Sequence, residues 1–142
     1  MRNIENLLFI LTSLEAIEKI DIYTANFKTP QEFLTANQQL NYNASLYLML
    51  VIGEETKKIE SDLKNNATEI KWKLIAGFRN RLAHDYRGID PFIPFEIINK
   101  FLPPLKIELI KMVEQYNMPK AILSSIIDEP HYAHLFYLLK DK

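Results

Sequence analysis

Gly77-Phe78-Arg79-Asn80-Arg81-Leu82-Ala83-His84-Asp85-Tyr86-Arg87-Gly88 closes a helical stretch, and the way that helix is dressed decides what the rest of the chain must be. Upstream, Thr68 followed by Glu69 predicts an N-cap with an acid in the first turn; downstream, Gly88 and Asp90-Pro91 stop any helix. The spacing predicts a helix of about 18 residues. At about 100° per residue, Ile70, Leu74, Ile75, Phe78 and Leu82 form one apolar arc. The arc continues through Trp72, Ala76, Ala83 and Tyr86, wider than a helix with a single packed side requires. Arg79 falls inside the second half of it. Asn80 and His84, four apart, share the neighbouring polar strip with Lys73 and Arg87. Burying an arginine without an anionic partner or water is costly, so the simplest resolution is a groove between two packed surfaces. The second arc would be an exposed patch on a lone bundle. The fold expected is therefore all-α, an antiparallel up-and-down bundle of four to five main helices that pairs as a symmetric homodimer with Arg79 near the cleft.

The flanking chain supplies those helices. From about Asn3 to Asn26, Ile4, Leu7, Leu8, Leu11, Leu14, Ile17 and Ile20 fall at three and four spacings and predict an amphipathic helix. Thr29-Pro30-Gln31-Glu32 is a capping box with proline at the first helical position, opening a short helix through about Ala36. Asn37 or Asn41 to about Asn65 reads as one long helix with Gly53 inside it. A mid-helix glycine costs roughly 1 kcal/mol against alanine, so Gly53 points to close helix approach. Glu54 and Glu55 beside it either face Arg79 or are plain solvated acids. Phe92 to about Tyr116 keeps helical periodicity, broken at Pro103-Pro104 by a kink or a division into two helices. Residues 1–116 form the main bundle; residues 117–142 form a C-terminal extension with turns at Pro119 and Glu129-Pro130. No β alternation, Gly-rich phosphate loop or internal repeat is present.

The chemistry-bearing residues are Arg79 and His84. Histidine takes and gives a proton near neutral pH, and a planar guanidinium holds phosphate oxygens as negative charge builds. Asn80 and Asp85 are auxiliary candidates. Lys73, Arg81 and Arg87 are candidates for phosphate contacts. Taken one at a time, an arginine or histidine near a helix C-terminus is as readily a dipole partner, and a tyrosine at a helix end simply packs with its hydroxyl in water. Asp128, Glu129, His131 and His134 make a weak metal-ligand pattern, and no metal site or cofactor is expected.

Arg79, four residues, His84, one residue, Tyr86 resembles the Arg-x4-His-x-Tyr signature of the HEPN superfamily, in its HepT-like ribonuclease toxin branch. The likeness also covers Leu14–Ile20, Val51–Glu55, Trp72–Arg81 and Ile89–Pro103, within about residues 1–116. The resemblance implies a small helical toxin of a toxin–antitoxin pair that dimerises and cuts RNA at a composite site built from Arg79 and His84 of both subunits. It also implies restraint by a cognate minimal nucleotidyltransferase antitoxin that attaches AMP to Tyr86. The alternative is a non-catalytic helical partner of a nucleotidyltransferase, in which the same residues bind nucleotide or dock the other subunit. A plain structural bundle is a third reading.

Composition is compatible with these readings. The 142 residues carry 48% hydrophobic and 25% charged side chains, the make-up of a folded domain rather than a disordered chain. A formal net charge of −1 argues against bulk electrostatic nucleic-acid binding. Locally, Lys71, Lys73, Arg79, Arg81 and Arg87 stand against Asp85 alone, a strip able to hold a few phosphates. The absence of cysteine removes disulfides and thiolate zinc sites and fits a reducing compartment. Without a signal-peptide pattern or an apolar run long enough for a bilayer, the expected location is the cytoplasm, away from membranes.

Overall fold

The computed structural model describes residues 4–116 and 119–127, and every regular element among them is helical. The order is α1 (Ile4–Thr24), α2 (Pro30–Thr35), α3 (Leu40–Lys57), α4 (Ser61–Asn66), α5 (Trp72–His84), α6 (Phe92–Glu96), α7 (Leu102–Glu114) and α8 (Lys120–Ile127). The expected acid-and-histidine group of the tail and its aromatic run, Tyr132–Leu139, lie outside the described residues. The C-terminal extension is represented by α8.

Helix α1 is the centre of the packing, lying against both α3 and α7. The expectation of a simply amphipathic helix was too narrow, because α1 is buried on most of its circumference. Leu7, Ile10, Leu11, Leu14, Ile17 and Ile20 are sealed from solvent, and so are Ser13, Glu15 and Glu18. Those acids are tolerated because each has a cation: Glu15 pairs with Lys19 one turn on, and Glu18 with Lys106 from α7.

The capping box at α2 forms as its sequence predicts. Thr29 is the N-cap, its Oγ1 accepting from the Glu32 N–H at 3.1 Å, with Pro30 at the first position. Phe33 then anchors α2, fully buried and edge-on to Tyr42 with ring centroids 5.1 Å apart.

The long helix expected from Asn37 to Asn65 is instead α3 followed by α4. Ile59 turns into the core, and the Glu60 N–H donates to the buried Asn6 side chain of α1 at 2.7 Å. That side-chain acceptor replaces the helical one and frees the chain to turn. Lys64 of α4 then donates to the Thr56 and Lys57 carbonyls at 3.2 Å, closing the C-terminus of α3.

The proline pair produces a wide turn rather than a break. Pro103 and Pro104 carry no N–H for the carbonyls one turn earlier, and Ile97–Phe101 opens into a π turn in which the Leu102 N–H reaches the Ile97 carbonyl. Helices α6 and α7 thereby join into one continuous run.

Candidate active site

Helix α5 begins later than its sequence predicts. Thr68 is no cap; residues 67–71 turn so that Ala67 and Ile70 enter the core, and the helix starts at Trp72. The Trp72 indole N–H donates to the Lys64 carbonyl at 3.2 Å, tying this start to α4. Of the 13 residues of α5, only Leu82 is buried. Gly77 faces open space, and Lys73, Leu74, Ala76, Asn80, Arg81, Ala83 and His84 are exposed. The wide apolar arc is thus real, with part of it uncovered.

Arg79 lies on the side of α5 that meets α3. A Cβ added to Gly53 would sit 2.4 Å from the Arg79 Cβ, so the glycine admits the arginine stem, the close approach read from the sequence. The anionic partner demanded by an arginine in an apolar arc is Glu54: its Oε1 pairs with Arg79 Nε, and both atoms are shielded from solvent. Glu55 goes instead to Lys58 at 3.4 Å. Asn80 accepts from Arg79 Nη1 at 3.1 Å. Glu54 and Asn80 therefore fix the guanidinium plane from two nitrogens, and Nη2 has no partner among the described residues.

His84 is the last residue of α5, exposed at its C-terminal end. Five residues separate it from Arg79, about 140° around the helix and about 7.5 Å along it. Within one chain the two side chains leave α5 in different directions.

The expectation that Tyr86 continues the apolar arc of the helix is overturned. Asp85, at φ −146° and ψ 54°, ends the α-helix, and Tyr86–Gly88 form a separate 3-10 turn. A Cβ at Gly88 would lie 2.4 Å from an Asp85 carboxylate oxygen, the movable end of that side chain. The Asp85 carboxylate accordingly folds over its own turn. Tyr86 is directed to α3, where its hydroxyl donates to Asn43 Oδ1 at 2.7 Å. Partial burial raises its pKa above the ordinary phenol value, keeping the hydroxyl protonated at neutral pH. Nearby Tyr42 is raised too, by its own burial first and then by Tyr86 and Asp90. Arg87 is exposed in the same turn.

The structure brings Arg79, Asn80 and Glu54 together, and separately Tyr86 and Asn43. Lys73 and Arg81 lie along the open face. Asn43 carries no sequence signal of its own; Glu54 was signalled by its position next to the helix-contact glycine. No three His, Asp or Glu side chains among the described residues form a group able to hold a metal ion, and no described helix is long and apolar enough to cross a membrane.

Comparison with known proteins matches residues 13–112 to the model of the family "Ribonuclease HepT-like". A Methanocaldococcus jannaschii protein named "Gamma-glutamylcyclotransferase and putative RNase" is 32% identical over 107 residues, 75% of this chain but 47% of that protein, so this chain spans about half of its length. A second protein of that organism, named "Putative RNase", is 32% identical over 106 residues, covering 75% of this chain and 85% of its own. A Thermococcus cleftensis protein named "Probable ribonuclease HepT" is 32% identical over 92 residues, 65% of this chain and 81% of its own. No solved structure matches. With the family model spanning most of the chain and the Arg79–His84 pair set on an open helix, the chain belongs to the HepT-like ribonuclease family.

Proposed function

We propose that the protein is the toxin of a toxin–antitoxin pair: a metal-independent endoribonuclease of the cytoplasm, built as an antiparallel up-and-down bundle and active as a symmetric homodimer. The observation that carries this reading is the divergence of Arg79 and His84 on α5. Two groups about 140° apart on one helix do not converge on one phosphate, whereas a two-fold axis along the uncovered face brings Arg79 of one subunit toward His84 of the other. The scarcity of buried residues on α5 supports the same arrangement.

In the proposed reaction His84 accepts the proton of the ribose 2′-hydroxyl, whose oxygen attacks the adjacent phosphorus. Arg79, oriented by Glu54 and Asn80, stabilises the charge that builds on the phosphorane oxygens. The bond to the 5′-oxygen breaks, that oxygen takes a proton from an imidazolium, and the upstream fragment keeps a 2′,3′-cyclic phosphate. The nucleophile is supplied by the substrate, so the chemistry requires no metal. Lys73, Arg81 and Arg87 contact flanking phosphates, and Asp85 shapes the turn that ends the site.

Control is assigned to Tyr86. Tyr86 is 38% exposed and its hydroxyl is held by a single hydrogen bond to Asn43, so a cognate minimal nucleotidyltransferase can reach it and transfer AMP from ATP, with release of pyrophosphate. The resulting phosphodiester is an anion beside the basic strip that competes with RNA. Mass spectrometry after incubation with such an enzyme and ATP should show AMP on the peptide containing Tyr86 and none on Tyr86→Phe; AMP at another site would refute the assignment.

The decisive experiment mixes two inactive proteins. Arg79→Ala and His84→Ala, each inert alone, should regain about one quarter of wild-type cleavage when equilibrated together, since half the dimers are mixed and each holds one intact site. No recovery despite proven subunit exchange would refute the shared site. A second reading is favoured by the Glu54 pair, which satisfies Arg79 without any phosphate: the protein is then a non-catalytic partner of a nucleotidyltransferase. It predicts that the pure protein leaves RNA intact even after any AMP is removed from Tyr86.

A further inference from the structure

The open flank of α5 faces the π turn across an apolar groove. Two adjoining cavities of about 220 and 550 Å³ share Leu74, Phe78, Ile97 and Phe101 as common walls. The larger of the two is in the size range of ligand clefts, roughly 300–1,000 Å³. Resting on the ribonuclease reading for the choice of occupant, we propose that this groove is a subsite for an unpaired base of single-stranded RNA.

Three observations select that occupant. The first is aromatic: Phe101 is half-buried and walls both cavities together with Phe78. Lys71 stands over part of the Phe101 ring, so a base stacks on the surface that remains, and unstacked bases bind on aromatic faces whatever their sequence. The second is charge. Lys71, Lys73, Arg81 and Lys100 stand on the rims against Glu69 and Glu96, leaving a positive balance around an apolar floor. Lys71 Nζ lies 5.6 Å from the Phe101 ring centroid, next to where a base would stack and within reach of its phosphate. An apolar base with an anionic backbone complements that pattern. The third is position. Arg81 is one turn and Phe78 six residues before His84, about 9 Å along the helix, so a strand entering the groove continues onto the catalytic end. The π turn itself, a wide helical geometry often found at functional sites, presents Phe101 to the groove.

The test uses the full chain and two non-cleavable 2′-O-methyl oligonucleotides of equal length, one with all bases and one with internal abasic positions, in fluorescence anisotropy. Wild type should bind the oligonucleotide with bases about 10-fold more tightly. Phe101→Ala should reduce that preference to within about twofold, and Phe101→Trp should retain it. Phe101 is not a fully buried side chain, and circular dichroism should show both proteins folded. Leu74→Ser, at an exposed position, should weaken the preference in the same direction. Lys71→Ala should weaken both oligonucleotides alike and lower the salt dependence. An unchanged base preference in both Phe101→Ala and Leu74→Ser overturns the subsite, and the ribonuclease reading survives if His84→Ala still stops cleavage. Loss of dimer in light scattering with base preference intact also overturns it, making the groove a surface for a second copy. Base-dependent binding lost in Phe101→Ala by a protein that never cleaves RNA sustains the subsite and removes the nuclease reading.

Discussion

Helices α1 and α5 are both rich in apolar residues and are treated in opposite ways. In α1 even two glutamates are buried, each held by a lysine; in α5 a leucine and two alanines stand in solvent. Helix α1 spends its side chains on the core, with neighbours on several sides. Helix α5 touches the fold chiefly through α3, at the Gly53–Arg79 crossing, and displays the rest. The proposed catalytic Arg79 and His84 are thus carried by a helix in which only Leu82 is buried. Stability and the proposed chemistry should therefore respond to different substitutions.

The largest effect is expected on catalysis alone. Arg79→Ala and His84→Ala should each reduce RNA cleavage by at least about 10²-fold while the far-ultraviolet spectrum stays that of the parent, and chelator should change nothing. Neither residue is a core side chain, although Arg79→Ala also leaves Glu54 without its cation. Arg79→Lys keeps a charge but not the two-nitrogen orientation by Glu54 and Asn80, so it should remain impaired. Wild-type cleavage by His84→Ala, or inhibition by EDTA, would break the proposed chemistry.

On the other side of the comparison, Leu14→Ala empties a fully buried position of α1 and should cost 2–5 kcal/mol in urea unfolding. The analogous Leu74→Ala on α5 should stay within about 0.5 kcal/mol. Similar costs for the two leucines would mean that α5 is covered in the isolated protein as thoroughly as α1.

Gly53→Ala tests the one place where the two properties meet. The added methyl would overlap the Arg79 stem, and the far end of a flexible side chain is not what it meets, so α3 and α5 must separate or Arg79 must move. Overpacking of this kind costs about 1–3 kcal/mol. Cleavage should fall by more than the loss of folded protein accounts for, because the Glu54–Arg79 pair is disturbed. A stable but inactive variant would sharpen the assignment; a fully active one would show that Arg79 placement is not set by this crossing.

How far the sequence could be read follows the same division. The helical class, the Thr29 cap, the Gly53 contact and the demand for an anion at Arg79 all depend on local chemistry or on a single energetic necessity, and all were legible. The end of α3 was not, because the group that turns the chain there is Asn6, 54 residues away. The start of α5 was misread because Thr68-Glu69 is a sound local cap signal overruled by the burial of Ala67 and Ile70. Tyr86 was assigned to the helix by counting; Asp85 leaves helical geometry one residue earlier, and its partner Asn43 lies on another helix. The open groove beside Phe101 depends on a π turn that a proline pair announces only as an interruption.

The smallest expected effect lies at the entrance to α3. Asn37, Gln38 and Gln39 all have positive φ, at 51°, 56° and 70°, a left-handed turn made without glycine. The turn is forced by the short path from α2 to α3 once Phe33 and Tyr42 are packed together. Asn37 has compensation, its amide donating to Asn41 at 2.8 Å, with Asn41 in turn donating to the Tyr23 carbonyl. Gln38 is exposed, and its side chain makes no hydrogen bond among the described residues. A left-handed conformation costs an L-residue about 1–2 kcal/mol, and glycine gives part of that back as lost chain entropy. Gln38→Gly should therefore stabilise the protein by about 0.5–1 kcal/mol, raising the melting temperature by about 2–4 °C, with RNA cleavage unchanged because the turn is remote in sequence from α5. Gln38→Val should destabilise it, β-branching being poorly tolerated at positive φ. If Gln38→Gly melts at or below the parental temperature, the turn is not a store of strain, and the less stable regions of the fold would have to be sought on the α5 side instead.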